Sequence, residues 1–135
     1  MSIKLLLSPN TLTDESFDMI YGDEVKRLSA VHWTPVSVAS KAAAWLVYKE
    51  GDKILDIGSG AGKFCFVGAI TTKGHFTGVE KIKKLCDISK KIQKKENLPN
   101  ITFLHDDIKK ISLKGYSGIY FYNAFHELIL ENDTI

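Results

Sequence analysis

The chain has 135 residues, 44% of them apolar and 10% aromatic, with a formal charge of only +2. That is the size of one domain with enough apolar material for a core, so wholesale disorder is excluded. The near-balanced charge, with Arg27 as the sole arginine, gives no footing for a dedicated nucleic-acid or membrane-surface binder.

Two cysteines, Cys65 and Cys86, without a Cys-x-x-Cys pair, suggest neither a disulfide framework nor a zinc site; a reduced, cytoplasmic setting is expected. No segment approaches the ~20 apolar residues of a membrane span. In chain order, residues 11–30 read as a helix entered through Thr13-Asp14-Glu15, although Gly22 makes two short helices an equal reading. Thr34-Pro35 is a second start signal, with Thr34 as cap and Pro35 as first helical residue, for a helix running to about Glu50. Residues 1–50 are thus expected to form N-terminal helices and residues 51–135 a β/α core, all within a single domain.

In the core, strands are predicted at 53–57, 76–80, 101–104 and 118–122, with helices at 62–71 and 81–96 between them. The stretch 106–117 is irregular with room for a short helix, and residues 126–135 begin another helix. Such short links imply parallel strands with right-handed crossovers. In the helix from Lys81 to Glu96, Ile82, Leu85, Cys86 and Ile92 form a buried stripe, leaving a lysine-rich solvated face. That face leaves room for nucleic acid, but no aromatics interleave with the lysines to indicate it.

The chemistry is concentrated in Asp56-Ile57-Gly58-Ser59-Gly60-Ala61-Gly62, a glycine loop between a strand and a helix. A phosphate-binding P-loop fails twice, since Ile57 occupies the first glycine position and Phe64 follows Lys63. A dinucleotide fingerprint fails because its third glycine would fall on Lys63. Glu80 ends the second strand 22 residues after Gly58, where a carboxylate can accept bonds from both hydroxyls of a ribose. A third acidic feature, Asp106-Asp107-Ile108, follows the third strand.

These residues, spanning about 34–127, resemble the class I S-adenosylmethionine-dependent methyltransferases. The resemblance implies a Rossmann-like three-layer α/β/α fold with a mainly parallel sheet. Of that family's seven strands, about four are present, so the sheet is expected to be truncated. It also implies S-adenosylmethionine as cofactor and an enzyme that transfers its methyl group. The loop residues Gly58, Ser59, Gly60 and Gly62 would pack on the methionine part, with Asp56 ordering the loop. Glu80, with Lys81 beside it, would hold the ribose; Asp107, or Asp106 in its place, would bind the adenine amino group, and Ile108 would lie against the ring. No metal site is implied.

The acceptor side is expected after the fourth strand, at Asn123-Ala124-Phe125-His126-Glu127. This is similar to a distant Asn-Pro-Pro-Tyr/Phe motif of amino-group methyltransferases, with Ala124 and Phe125 in place of the prolines. It makes Asn123 a cofactor and acceptor contact. His126 is a candidate base for an oxygen acceptor, with Glu127 to orient it; both residues equally suit the start of a helix. His32 and Trp33 could fold over the cofactor, although packing is the commoner role of such an aromatic. A second function from a different class is a catalytically silent cofactor-binding module completed by a partner. The bare edge of the fourth strand predicts a two-fold homodimer.

Overall fold

Parallel neighbours cannot be joined by a tight hairpin, so each strand must be followed by a crossover segment. The computed structural model, which describes residues 12–23, 25–26 and 34–121, shows how this chain meets that demand. Its elements are α1 (Asp14–Asp18), α2 (Val36–Leu46), β1 (Lys53–Ile57), α3 (Lys63–Thr71), β2 (His75–Glu80), α4 (Lys83–Glu96) and β3 (Ile101–His105). A single 3-10 turn (Ile108–Lys110) then leads to β4 (Gly118–Phe121). The sheet order is β3-β2-β1-β4, and all three pairings are parallel. This is the expected Rossmann-like α/β/α class.

The register explains the burial. Ile54 lies beside Phe76, which lies beside Ile101; two residues on, Asp56 is flanked by Gly78 and Tyr120. Alternation along each strand puts these side chains on one face. There Ile54, Phe76, Ile101 and Phe103 join Ala39 and Ala43 of α2, Phe66 and Val67 of α3, and Leu85 and Cys86 of α4 in one core. The opposite face carries Leu55, Thr77 and Val79, also buried, so β1 and β2 are covered on both sides, as central parallel strands must be. Among the described residues β4 is an edge strand, and its Ile119 and Phe121 are exposed.

Two local expectations are corrected, the cap of α2 and the start of α4, and two open readings are decided. The helix drawn over 11–30 ends at Asp18, and bonds from Ile20 N–H to the Phe17 carbonyl and from Tyr21 N–H to the Asp18 carbonyl tighten the chain into a turn. A second helical start follows Gly22, whose backbone freedom penalises an unbroken helix. The reading as two short pieces therefore describes residues 12–26 better.

Thr34 does not cap α2. Its hydroxyl pairs with the Tyr120 hydroxyl at 2.6 Å, while the first N–H of α2, from Val36, is taken by Asp14 Oδ1 at 2.8 Å. A carboxylate from a distant segment thus replaces the local cap. Helix α4 begins at Lys83 rather than Lys81, because Glu80 Oε2 captures the Ile82 N–H at 2.8 Å and turns the chain first. Finally, residues 106–117 hold only the 3-10 turn, capped by Asp107 Oδ1 on the Lys109 N–H at 3.0 Å.

Gly68 is where α3 approaches the sheet most closely: a Cβ there would overlap the fully buried Phe76 ring. Gly68→Ala gains up to ~1 kcal/mol in helix propensity, but overpacking costs about 1–3 kcal/mol. The net expectation is destabilisation, read as a lower urea midpoint with unchanged slope; an unchanged or higher midpoint contradicts the packing described.

Candidate cofactor and methyl-transfer site

The glycine loop leaves β1 and must turn within a few residues to start α3. Gly58, Gly60 and Gly62 all adopt positive φ, at 73°, 58° and 93°, a conformation costly for residues with a Cβ. The loop also lies almost on top of β2: the Gly58 and Ser59 N–H groups both reach the Val79 carbonyl, at 2.9 and 3.1 Å. Only a glycine opposite permits this approach, since a Cβ on Gly78 would sit 2.7 Å from the Ser59 side chain. The glycines of the motif are therefore needed on both sides of the contact.

Glu80 fastens the loop. It is 3% exposed; its Oε1 accepts the Gly60 N–H at 2.7 Å and its Oε2 accepts the Ile82 N–H at 2.8 Å. The Gly60 carbonyl is held from the other side by the Ser89 hydroxyl of α4 at 3.3 Å. Each carboxylate oxygen has a second lone pair, so the amide bonds leave acceptor capacity for hydroxyl donors. Sequence reasoning expects Glu80 to face a ribose and gives no sign of its structural duty as the loop's anchor.

Asp56 is buried at the end of β1, its Oδ2 3.6 Å from the Cys65 thiol. It lines a small cavity with Thr34, Gly58, Ser59, Lys63, Phe64 and Tyr120. The cavity measures about 20 Å³, room for one water. Ser59 is buried there too, and its hydroxyl has no hydrogen-bond partner among the described residues. An orphaned buried hydroxyl is unusual and marks a place where a polar group is wanted. These features fit the amino-acid end of the implied cofactor: polar groups beside a glycine backbone, without a row of amides suited to phosphates.

The remaining expected site residues lie nearby or beyond the described residues. Lys81 is exposed, and its carbonyl lies 3.1 Å from His105 Nε2. Asp106 and Asp107 are half-buried beyond β3; Asp106 N–H donates to the Glu80 carbonyl at 3.1 Å, and Asp106 Oδ1 accepts the Asp107 N–H at 2.7 Å. The acidic pair and Ile108 are thus brought to the same end of the sheet as Glu80. Asn123, His126 and Glu127, with His32 and Trp33, lie outside the described residues.

Thr34, Lys63, Phe64 and Tyr120 were missed as site residues. The Tyr120 ring stacks on Phe64, centroids 3.8 Å apart and planes within 7°, while its hydroxyl reaches Thr34. In the sequence Lys63 stands out only as the residue that spoils the dinucleotide fingerprint. Its Nζ is 2.8 Å from Asp14 Oδ1 and 3.8 Å from Asp18 Oδ1, and 5.7 Å from the centre of the Phe17 ring. A lysine heading the apolar run Phe64-Cys65-Phe66-Val67 was the available signal.

A parallel sheet of this order, with a glycine loop after β1 and a buried acid ending β2, is a Rossmann-like arrangement, and the loop's glycine spacing is that of the class I S-adenosylmethionine-dependent methyltransferases. Within that class, residues 10–128 match the model of the protein-L-isoaspartate(D-aspartate) O-methyltransferase family, and the chain belongs to that family. Over 94 residues it is 34% identical to arsenite methyltransferase of Mus musculus, covering 64% of this chain and 24% of that protein. A solved S-adenosylmethionine-dependent O-methyltransferase from Thermotoga maritima is 25% identical with a TM-score of 0.58, covering 73% of this chain and 39% of its own. A structure from Methanococcus maripaludis, at 17% identity and TM-score 0.60, shares the fold over 90% of this chain and 57% of its own. The chain therefore spans about a quarter of the curated relative and less than half of the Thermotoga enzyme.

Two predictions follow from the electrostatics. Burial pushes the Cys65 thiol well up, and the Asp56 carboxylate adds to it; burial also raises Cys86. The native protein should therefore react with neither thiol at neutral pH on a minutes scale, and with both after denaturation; rapid native labelling contradicts the burial. For Asp14, desolvation raises the carboxyl pKa, but the Lys63 ammonium and the Val36 amide outweigh it and hold the value below 3.8. A depressed folded pKa gives stability that is present above the unfolded value, about 4, and is lost as pH falls through the folded value. Asp14→Asn should lose less stability than wild type on acidification from about pH 4 to 2; equal losses contradict the assignment.

Proposed function

We propose that the chain binds S-adenosylmethionine across the carboxyl ends of β1, β2 and β3 and directs its methyl group to a nucleophile docked beyond β4. The observation that carries this is the glycine loop pinned to Glu80, next to the orphaned Ser59 hydroxyl. When bound, the cofactor supplies an electrophilic methyl group on a sulfonium.

In this reading the backbone of Gly58, Ser59, Gly60 and Gly62 lies along the methionine part. Asp56 keeps the loop ordered, and the Glu80 carboxylate receives the ribose hydroxyls, with Lys81 alongside. Asp107 or its neighbour Asp106 takes the adenine amino group, and Ile108 covers the ring. Asn123 and His126 are assigned to the acceptor side, to orient a nucleophile and to accept its proton. Methyl transfer depends chiefly on in-line alignment, so holding both partners in place is the larger part of the work.

The acceptors to try first are those that the related proteins' names print: an isoaspartyl or D-aspartyl carboxylate, from the family, and arsenite, from the mouse relative. Two buried free thiols support a reducing, cytoplasmic setting, and no helix among the described residues is long and apolar enough to cross a membrane. The exposed Ile119 and Phe121 of β4 support pairing with a second copy.

Calorimetry with S-adenosylmethionine and its demethylated product should show binding, with no competing affinity for NAD. Glu80→Ala should weaken binding by about 1.5–3 kcal/mol, the worth of a charged acceptor. A radiolabelled transfer assay with an isoaspartyl peptide and with arsenite then reads activity. Binding without transfer to any acceptor supports the silent-module reading; NAD binding without response to S-adenosylmethionine overturns both.

A further inference from the structure

Lys63 is the only buried lysine among the described residues, at 3% exposure. It is also the first residue of α3, directly after the left-handed Gly62. Both circumstances disfavour a cation. The N-terminus of a helix is its positive pole, and burial removes the ammonium from water. An apolar side chain would pack among Phe17, Phe64 and Phe66 without either cost. Two carboxylates of α1, Asp14 and Asp18, lie against the charge.

That segment grips the loop twice. The Tyr21 hydroxyl, buried just after α1, donates to the Ala61 carbonyl at 2.8 Å. Gly60 is held by Glu80, Ala61 by Tyr21 and Lys63 by Asp14, so two of three successive anchors come from residues 14–21. Asp14 Oδ1 also accepts the Val36 N–H that opens α2, two residues after Thr34 in the site cavity. One carboxylate oxygen therefore joins α1, the entrance of α2 and the exit of the glycine loop.

We propose that Lys63 is a positioning residue through which the N-terminal segment 14–21 straps the glycine loop into its cofactor-receiving shape, so that seating of the segment and cofactor affinity are coupled. This rests on the methyltransferase reading above. It extends that reading by making the N-terminal segment, which meets the loop at Ala61 and Lys63, a determinant of affinity.

The test combines amide hydrogen exchange without ligand and calorimetry with S-adenosylhomocysteine, on wild type, Lys63→Met, Lys63→Arg and Asp14→Asn. Asp14→Asn keeps an oxygen for the Val36 N–H while removing the shorter of the two ion pairs and leaving Asp18 in place. Loss of the pair should speed exchange at the Gly60 and Gly62 amides by about tenfold in Lys63→Met and Asp14→Asn, while the Leu55 and Phe76 amides stay within about twofold. Affinity should fall by about tenfold in the same two variants, and Lys63→Arg should stay within about threefold of wild type.

Unchanged exchange at Gly60 and Gly62 in folded Asp14→Asn overturns the proposal. So does an equal rise at Leu55 and Phe76, which would mark general destabilisation. If wild type fails to bind S-adenosylhomocysteine, the methyltransferase reading falls, and the ligand-free exchange still decides whether Lys63 holds the loop.

Discussion

Two backbone amides from different segments, Gly60 N–H and Ile82 N–H, converge on one buried carboxylate at the end of β2. The site is arranged around that convergence. A charged acceptor in a low-dielectric setting holds its donors more firmly than a neutral one, so the loop after β1 and the turn after β2 are fixed relative to each other. The loop can lie this low on the sheet because Gly78 has no side chain, and it can turn because three glycines take positive φ. Exchange any of these and Glu80 loses its donor geometry. The acid that sequence spacing assigns to a ligand is thus first a fastener of the surface on which that ligand would lie.

The strands and the two helices between them were legible in the sequence because their signals are local. Short strand-forming runs such as Ile54–Leu55 and Phe76 to Val79, each preceded by a glycine turn, need no knowledge of what they pack against. The glycine loop was legible for the same reason, since positive φ narrows the residue choice at each position. What escaped were side chains whose partners lie far off in sequence. Thr34 has the composition of a helix cap, and spends its hydroxyl on Tyr120, 86 residues away. The cap of α2 is instead Asp14, which by local rules is only a first-turn acid of its own helix. Lys63 looked like an interruption because both its carboxylates lie in α1.

The N-terminal segment changes standing in consequence. By sequence it is a weak amphipathic preface to the domain, interrupted by Gly22. In the structure, Phe17 is fully buried, with its ring 5.7 Å from Tyr21 and 6.4 Å from Phe66 by centroid. The apolar contacts supply the bulk of its docking energy, as burial of a large side chain is worth about 1.5–3 kcal/mol. The ionic contacts through Asp14 and Asp18 set where it docks. Such a division, with apolar area giving strength and a buried pair giving register, is consistent with keeping a lysine where a leucine would fit.

The pairing partners of β1 differ greatly in how far they are along the chain. Ile54 meets Phe76 across 22 residues on one side and Gly118 across 64 on the other. Closing the longer loop costs roughly 1 kcal/mol more in chain entropy, and contacts of high sequence separation form late in folding. The unit β1-α3-β2-α4-β3, which already contains the glycine loop and the Glu80 fastener, can therefore assemble before β4 arrives. Tyr120, stacked on Phe64 and bonded to Thr34, is the side chain by which the late strand engages the earlier unit. On a ribosome this order follows the direction of synthesis, so the loop pinned to Glu80 would be shaped while β4 was still emerging.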